Sequence, residues 1–501
     1  MLDRFSFKIE DDLRRSRWWY LGAFLFLFFA GACGRAWMKP FWYDEIFTLT
    51  LSGLSLSDLR QALATGMEQN PPLYLLLNGA VSALLGQGHV AMRLLSMAGL
   101  CALSLSLYMF VSRRSGPVAG WVALLAPLFT EAYSYAWEAR PYGLLLGCCG
   151  VSLVAWQRAC EGGRRVAPMV LLGLSLSAAV SSHYYAVLLY IPLAAGELAR
   201  FFIRRKPDPL LWLMITASTM PLLVFASLMR GASAYSAGFW AQPSIVSVTG
   251  FWEFLLAPAL WPAMLALVLA AVAGRRGAGA EASGLERHEI AAAAGLLAVP
   301  LVLLALAFGV THAYSDRYAL PAAAGVAILT ATLAGRRTRT VAFTALFSLF
   351  ILRQSASALL LLATPSNPVK GHPLLEGVET GNTPVVVANG LAYLQLAHYA
   401  PPALASRLEY LADPRLAARH TGSDSVDRAL LDLRRWRKLR VREYEEFRDG
   451  NGATLLYQSA ASDDGGRLQW IADELRAGGA GVALRAQSGG RFLFEVTWPA
   501  P

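Results

Sequence analysis

The sequence predicts an α-helical polytopic membrane protein with roughly eleven spans, juxtamembrane helices in the first outer loop and a C-terminal soluble α/β domain. Composition is the first reason. Of 501 residues, 55% are hydrophobic and 16% charged, and mean hydropathy is +0.43, whereas soluble domains carry about a quarter charged residues. Charge placement is the second. Lys and Arg gather in short segments between apolar runs, so the net charge of +10 encodes topology by the positive-inside rule, and no nucleic-acid partner is expected. Third, the composition turns polar and charged from about residue 363. This divides the chain into a membrane domain, residues 1–362, and an extracytoplasmic domain, residues 363–501.

Residues 1–17 hold Lys8, Arg14, Arg15 and Arg17 and read as cytoplasmic. The apolar run Trp18 to Ala36 is long enough to cross a bilayer and lacks a small-residue cleavage site, so it reads as an uncleaved first span. It delivers Phe41-Trp42-Tyr43-Asp44-Glu45 to the outer boundary, where aromatic rings favour the headgroup depth. Ser57 is the expected cap of a short helix from Asp58 to Glu68. Pro71 to Leu85 is apolar but falls short of the roughly 20 residues a span needs. If it crossed, Arg113-Arg114, Arg164-Arg165, Arg204-Arg205-Lys206, Arg275-Arg276 and Arg336-Arg337 would all face outward. Left in the interface as a juxtamembrane helix, it makes every one of them cytoplasmic, as the charge rule requires.

Further spans are expected at 90–111, 117–134, 141–157, 167–182, 184–203, 209–229, 251–273, 289–309, 317–335 and 340–362. With the first, this odd number places the C-terminus outside. Cys33, Cys101, Cys148, Cys149 and Cys160 lie in or beside these segments without metal-ligand spacing, as small buried hydrophobes. In the polar region, Pro384 to Ala388, Ala453 to Gln458 and Arg491 to Trp498 read as strands. Gly390 to Tyr399 and Arg467 to Ala477 read as helices, and Val426 to Arg442 as a basic helix with a solvated face. No Gly-rich phosphate loop or nucleophile elbow occurs there.

The outer boundary collects Asp44 and Glu45; Asn70 and Tyr74; Glu131, Glu138, Arg140 and Tyr142; His183, Tyr184 and Tyr185; and Asp316, Arg317 and Tyr318. Arg140 and Arg317 stand at the lips of spans on the side where arginine is avoided, so each calls for an anionic partner. Glu138 and Asp316 are the local candidates for ion pairs, and a substrate phosphate is the other. The His183-Tyr184-Tyr185 turn either lines a cavity or anchors the interface. Outside the cytoplasmic membrane there is no nucleotide-sugar pool, so glycan synthesis there needs a lipid-carried donor. Transfer from a polyprenyl-phosphate sugar needs a carboxylate to deprotonate the acceptor hydroxyl and cations to hold the leaving phosphate. Asp44 fits the base, and Arg140 and Arg317 fit the clamp because guanidinium binds phosphate oxygens in pairs.

Asp44-Glu45, Asn70-Pro71-Pro72-Leu73-Tyr74, Ala91 to Ser96, Glu138-Ala139-Arg140-Pro141-Tyr142 and Arg317-Tyr318-Ala319-Leu320-Pro321 follow one another in this order. Over roughly residues 15–335 the chain resembles the GT-C membrane glycosyltransferases, in the branch of protein O-mannosyltransferases and lipid A aminoarabinose transferases. The resemblance implies an outward-facing cavity, a polyprenyl-phosphate-linked donor and Asp44 as general base, with Glu45 supporting it. Some members hold a divalent cation near the acidic motif. Here the two carboxylates are adjacent, so no essential metal is expected, though a cation could sit at Asp44 and Glu45.

The expected function is therefore inverting transfer of a sugar to a hydroxyl on a glycan, lipid or protein acceptor, at the outer face of a bacterial cytoplasmic membrane. The rival is a transporter or flippase for a lipid-linked sugar. It predicts ionisable residues near mid-bilayer and an internal repeat of spans, and neither stands out in the sequence.

Overall fold

The computed structural model describes residues 2–161, 163–233, 235, 241–265, 284–376, 378, 382–448, 454–460 and 469–497. The Arg275-Arg276 cluster, the end of the span expected at 251–273 and the start of the helix expected from Arg467 lie outside them. The chain divides into two compact units. One comprises Met1–Met38, Asn70–Ala226 and Pro243–Thr364; the other, Lys39–Gln69, Ser227–Gln242 and Pro365–Pro501.

The first unit is helical. Arg17–Met38, Ala91–Phe129, Tyr142–Cys160, Tyr184–Arg204, Ser247–Leu265 and Arg336–Leu362 are long and apolar enough to cross a membrane, and the chain is a multi-pass membrane protein. Among the described residues, counting each bent helix pair as one span raises the six to eight, against the eleven expected. Much of the difference is in how the chain breaks. Ala91–Phe129 carries two expected spans in one run, because Gly116 (φ 86, ψ 170) interrupts the helix ahead of Pro117. A Cβ on Gly120 would stand 2.6 Å from that of Ser112, so the chain doubles back at this break. Val166–Ser182 and Ala322–Leu333 are shorter apolar helices. Leu73–Leu85 has 13 residues, too few to span, as expected of a juxtamembrane helix.

The centre of this unit is packed through small residues. A Cβ on Gly99 would meet the Gly143 carbonyl oxygen at 2.2 Å, and one on Gly147 would meet that of Gly99 at 2.6 Å. The Leu94–Leu125 and Tyr142–Cys160 helices therefore touch backbone to backbone, the close approach that holds helices together where lipid removes the hydrophobic drive. At the end of the bundle remote from Ser96, the basic clusters are paired. Arg114 reaches Glu161 and Glu289, each at 3.1 Å, and Arg200 bridges Glu197 and Asp208 at 3.1 Å.

In the second unit, β1 (Val385–Val387), β2 (Leu408–Ala412), β3 (Val441–Glu443), β4 (Thr454–Ser459), β5 (Gly481–Ser488) and β6 (Arg491–Thr497) form one sheet in the order β3-β2-β1-β4-β6-β5. The first four are parallel; β6 runs antiparallel to β4, and β5 to β6. β1 and β2 are buried at every position, as central parallel strands are. Asn389 caps the Gly390–Tyr399 helix, its side-chain oxygen accepting from the N–H groups of Leu391 and Ala392.

Two local expectations change. The cap in the first loop is Ser55, whose Oγ accepts the Asp58 N–H, and the helix runs Leu56–Ala64. The basic segment is helical only over Ser425–Leu433, and its end becomes β3. Of its arginines, Arg434 and Arg440 are solvent-exposed and also held: Arg434 donates to the Val441 carbonyl at 2.9 Å, and Arg440 pairs with buried Glu409.

Candidate active site

The expected site residues fall in both units. In the first unit, Arg140, Tyr142, His183 and Arg317 come together at the end of the bundle where the Tyr142–Cys160 and Val166–Ser182 helices begin and stop. The His183 ring lies 5.2 Å from the rings of both Tyr142 and Tyr318, and 6.0 Å from that of Tyr185. Tyr185 and Tyr318 stack at 4.2 Å. The Arg317 guanidinium lies over the Tyr142 ring at 5.8 Å, and its Nε donates to Ser315 Oγ at 3.2 Å. Arg140 is buried, and its carbonyl accepts from Ser96 Oγ, which also meets the Tyr74 hydroxyl at 3.1 Å. Tyr74 thus braces the strand of chain carrying Arg140. Asn70 is buried at the start of the same segment, Tyr184 opens the turn after His183, and Glu138 ends the Glu131–Trp137 3-10 helix.

His183 ends one helix and precedes the next, outside both. Burial, with the charges of Arg140 and Arg317 behind it, holds its imidazole down at about 3. Its Nδ1 accepts the Tyr185 N–H at 3.1 Å, so the proton of the neutral ring sits on Nε2. Two arginines thus act on one buried, neutral hydrogen-bond donor. Guanidinium and imidazole N–H groups are all hydrogen-bond donors, a set that suits an anion.

In the second unit, Asp44 and Glu45 occupy the first turn of the Tyr43–Ser52 helix. Glu45 is fully buried and turns back on its own helix, where its Oε2 accepts the Trp42 N–H at 3.3 Å as half of a capping box. Asp44 is half-buried, and its side chain is not part of that cap. The two adjacent carboxylates therefore face different tasks. A divalent cation there would share Glu45 with the cap. Among the described residues no group of three or more His, Cys, Asp or Glu converges as a metal site.

Sequence reasoning missed what holds this helix. The Phe41 N–H donates to the Tyr399 hydroxyl at 2.6 Å, and the Phe41 carbonyl accepts from Gln395 at 2.8 Å. Arg437 donates to Thr50 Oγ1 at 3.1 Å and meets His398 Nδ1 at 2.8 Å. Gln395, His398 and Tyr399 share one helix of the α/β region. No local signal could have found these partners, because the pairs are separated by more than 350 residues.

No family model and no curated protein matches the chain. Solved structures do. ArnT from Cupriavidus metallidurans bound to undecaprenyl phosphate aligns with TM-score 0.57 at 13% identity, over 96% of this chain and 98% of that one. This chain has the fold of ArnT. The same ArnT in the apo state matches with TM-score 0.56, at the same identity and coverage. An oligosaccharyltransferase from Archaeoglobus fulgidus, complexed with zinc and sulfate, aligns more weakly, with TM-score 0.41 at 12% identity over 86% of this chain and 67% of its own. At 13% identity the likeness to ArnT concerns the fold alone, and the chemistry rests on the residues above.

Proposed function

We propose that this GT-C protein moves a sugar from a polyprenyl-phosphate carrier to an acceptor hydroxyl on a cell-envelope glycan, glycolipid or protein, with inversion at the sugar carbon. In this reading Asp44 takes the proton from the acceptor hydroxyl, whose oxygen attacks the anomeric carbon. The bond from that carbon to the phosphate oxygen breaks, and the polyprenyl phosphate leaves with the electron pair. Arg140 and Arg317 hold the phosphate as its charge builds. His183, neutral at working pH, contributes a hydrogen bond through Nε2 and no proton. The transition state has oxocarbenium character. The active site is proposed to face the outer side of a bacterial inner membrane.

The observation that carries this reading is the Arg140–His183–Arg317 cluster, in a fold whose solved neighbour ArnT was crystallised with undecaprenyl phosphate. Its test is binding of undecaprenyl phosphate to the purified chain. Arg140→Ala and Arg317→Ala should each weaken it by roughly ten- to a hundredfold, the worth of hydrogen bonds to a charged group. Unchanged affinity in both variants would remove the clamp.

A further inference from the structure

A second pair of arginines lies at the same end of the first unit. Arg35 stands near the end of Arg17–Met38, and the neighbouring Ala36 carbonyl accepts from Arg93, three residues before Ser96. The Arg35 guanidinium lies 4.8 Å from the centre of the Trp137 ring, and that of Arg353, from the Arg336–Ala358 helix, lies 4.9 Å from that of Tyr133. The two rings meet edge to face at 4.7 Å. Ser357 ties the arginines together, accepting from Arg35 Nε at 3.0 Å while donating to the Arg353 carbonyl. Arg353 donates to the Leu128 carbonyl at 2.7 Å. Among the described residues no carboxylate comes within 4 Å of either guanidinium. Both are partly buried, and each makes one hydrogen bond there, so several of their N–H groups stay available.

This pair is separate from the Arg140 cluster. Tyr133 and Trp137 hold it, whereas Tyr135, between them in sequence, packs on Tyr142 at 5.2 Å beside Arg317. Apolar side chains along the same two segments are exposed among the described residues: Phe26 is 73% exposed, Leu352 68% and Leu362 86%. Two cations with no carboxylate in ion-pair contact, Glu131 acting on Arg353 only from further away, want an anion that brings its own hydrocarbon at the rim of a lipid-facing surface.

We propose that Arg35 and Arg353 form a binding site for the phosphate of an anionic bilayer phospholipid, whose acyl chains lie along Arg17–Met38 and Arg336–Ala358. The charge supplies what Tyr133 and Trp137 cannot, and the aromatic cradle keeps both guanidiniums splayed toward the headgroup. The inference needs only the membrane placement and is independent of the transferase reading.

The test is native mass spectrometry of the full chain released from detergent, with phosphatidylglycerol, phosphatidylcholine, undecaprenyl phosphate or inorganic phosphate added. Wild type should retain phosphatidylglycerol over phosphatidylcholine, and Arg35→Gln/Arg353→Gln should lose this retention by roughly tenfold or more, while Arg35→Lys/Arg353→Lys keeps most of it. Equal retention of phosphatidylglycerol by wild type and the Gln variant would overturn the site. So would equal retention of both phospholipids by wild type, or displacement of phosphatidylglycerol by inorganic phosphate alone. Loss of undecaprenyl phosphate but not phosphatidylglycerol in the Gln variant would assign the pair to the donor instead. If the double variant does not fold, Arg35→Gln alone decides by the same readings.

Discussion

At the scale of single residues, two acids that are neighbours in sequence are put to different uses. Glu45 is buried against the Trp42 N–H at the start of its own helix, while the Asp44 side chain stays outside the cap. The acidic pair itself was legible, because carboxylates beside aromatics at a membrane boundary need a reason. Which of the two serves the cap was not, since a capping box is recognised only once the helix start is known. His183 shows the same limit. Its sequence neighbours suggested either an anchor or a cavity wall, and its position between Arg140 and Arg317 is a matter of tertiary packing. Because burial and those two charges hold its imidazole near 3, the ring carries no proton change across neutrality. The pH profile of transfer between about pH 5 and 8 should keep its shape in His183→Gln while the rate drops. An inflection near the ordinary histidine value that disappears in the variant would show that His183 titrates.

At the scale of elements, the hydrophobic pattern gave the membrane helices well where they are long and poorly where they break. The span pair at 90–134 was found from its apolar runs, and the Arg113-Arg114 segment with Gly116-Pro117 marks the turn between them. Of the α/β region, β1, β4, β6 and the Gly390–Tyr399 helix were readable as buried runs or periodic segments. β2 was missed because Glu409 interrupts its apolar pattern, a charge made tolerable by Arg440 and Arg442. β5 was missed because it is an edge strand with mostly exposed residues. The docking of residues 41–50 on Gln395, Tyr399 and Arg437 is the element-level finding with functional weight. Tyr399→Phe removes the acceptor of the Phe41 N–H, at a cost of about 1–3 kcal/mol. If this contact positions the Asp44 helix, Tyr399→Phe should lower kcat several-fold with unchanged affinity for undecaprenyl phosphate. A loss of donor affinity equal to the loss of kcat would mean the contact serves general stability.

At the scale of the whole molecule, composition predicts a membrane-embedded part and a polar one, because burial in lipid and burial in a soluble core demand different surfaces. It could not show that residues 39–69 pack with the polar part, since that depends on side chains meeting across the chain. The α/β region carries its own pH signature. Asp427 is buried, accepting from Tyr410, Trp470 and the Asp413 N–H, and burial pushes its carboxyl up to about 7. A carboxyl whose folded value lies above its unfolded one binds its proton more tightly when folded. Stability of this region should therefore fall as pH rises from about 4 to about 7 and level off above. Thermal unfolding followed by tryptophan emission should show this slope in wild type and a flatter one in Asp427→Asn, which removes the titrating group and keeps one acceptor oxygen. Identical slopes would refute the buried acid.

The most direct test of the central claim is label transfer from radiolabelled polyprenyl-phosphate sugars by the purified chain in proteoliposomes, comparing wild type with Asp44→Asn. Wild type should form a new labelled product with release of polyprenyl phosphate, and Asp44→Asn should slow this by about a hundred- to ten-thousandfold while still binding undecaprenyl phosphate. Transfer by Asp44→Asn at the wild-type rate would remove Asp44 as the base. Lipid crossing without any transfer, from every donor tried, would replace the transferase with a flippase.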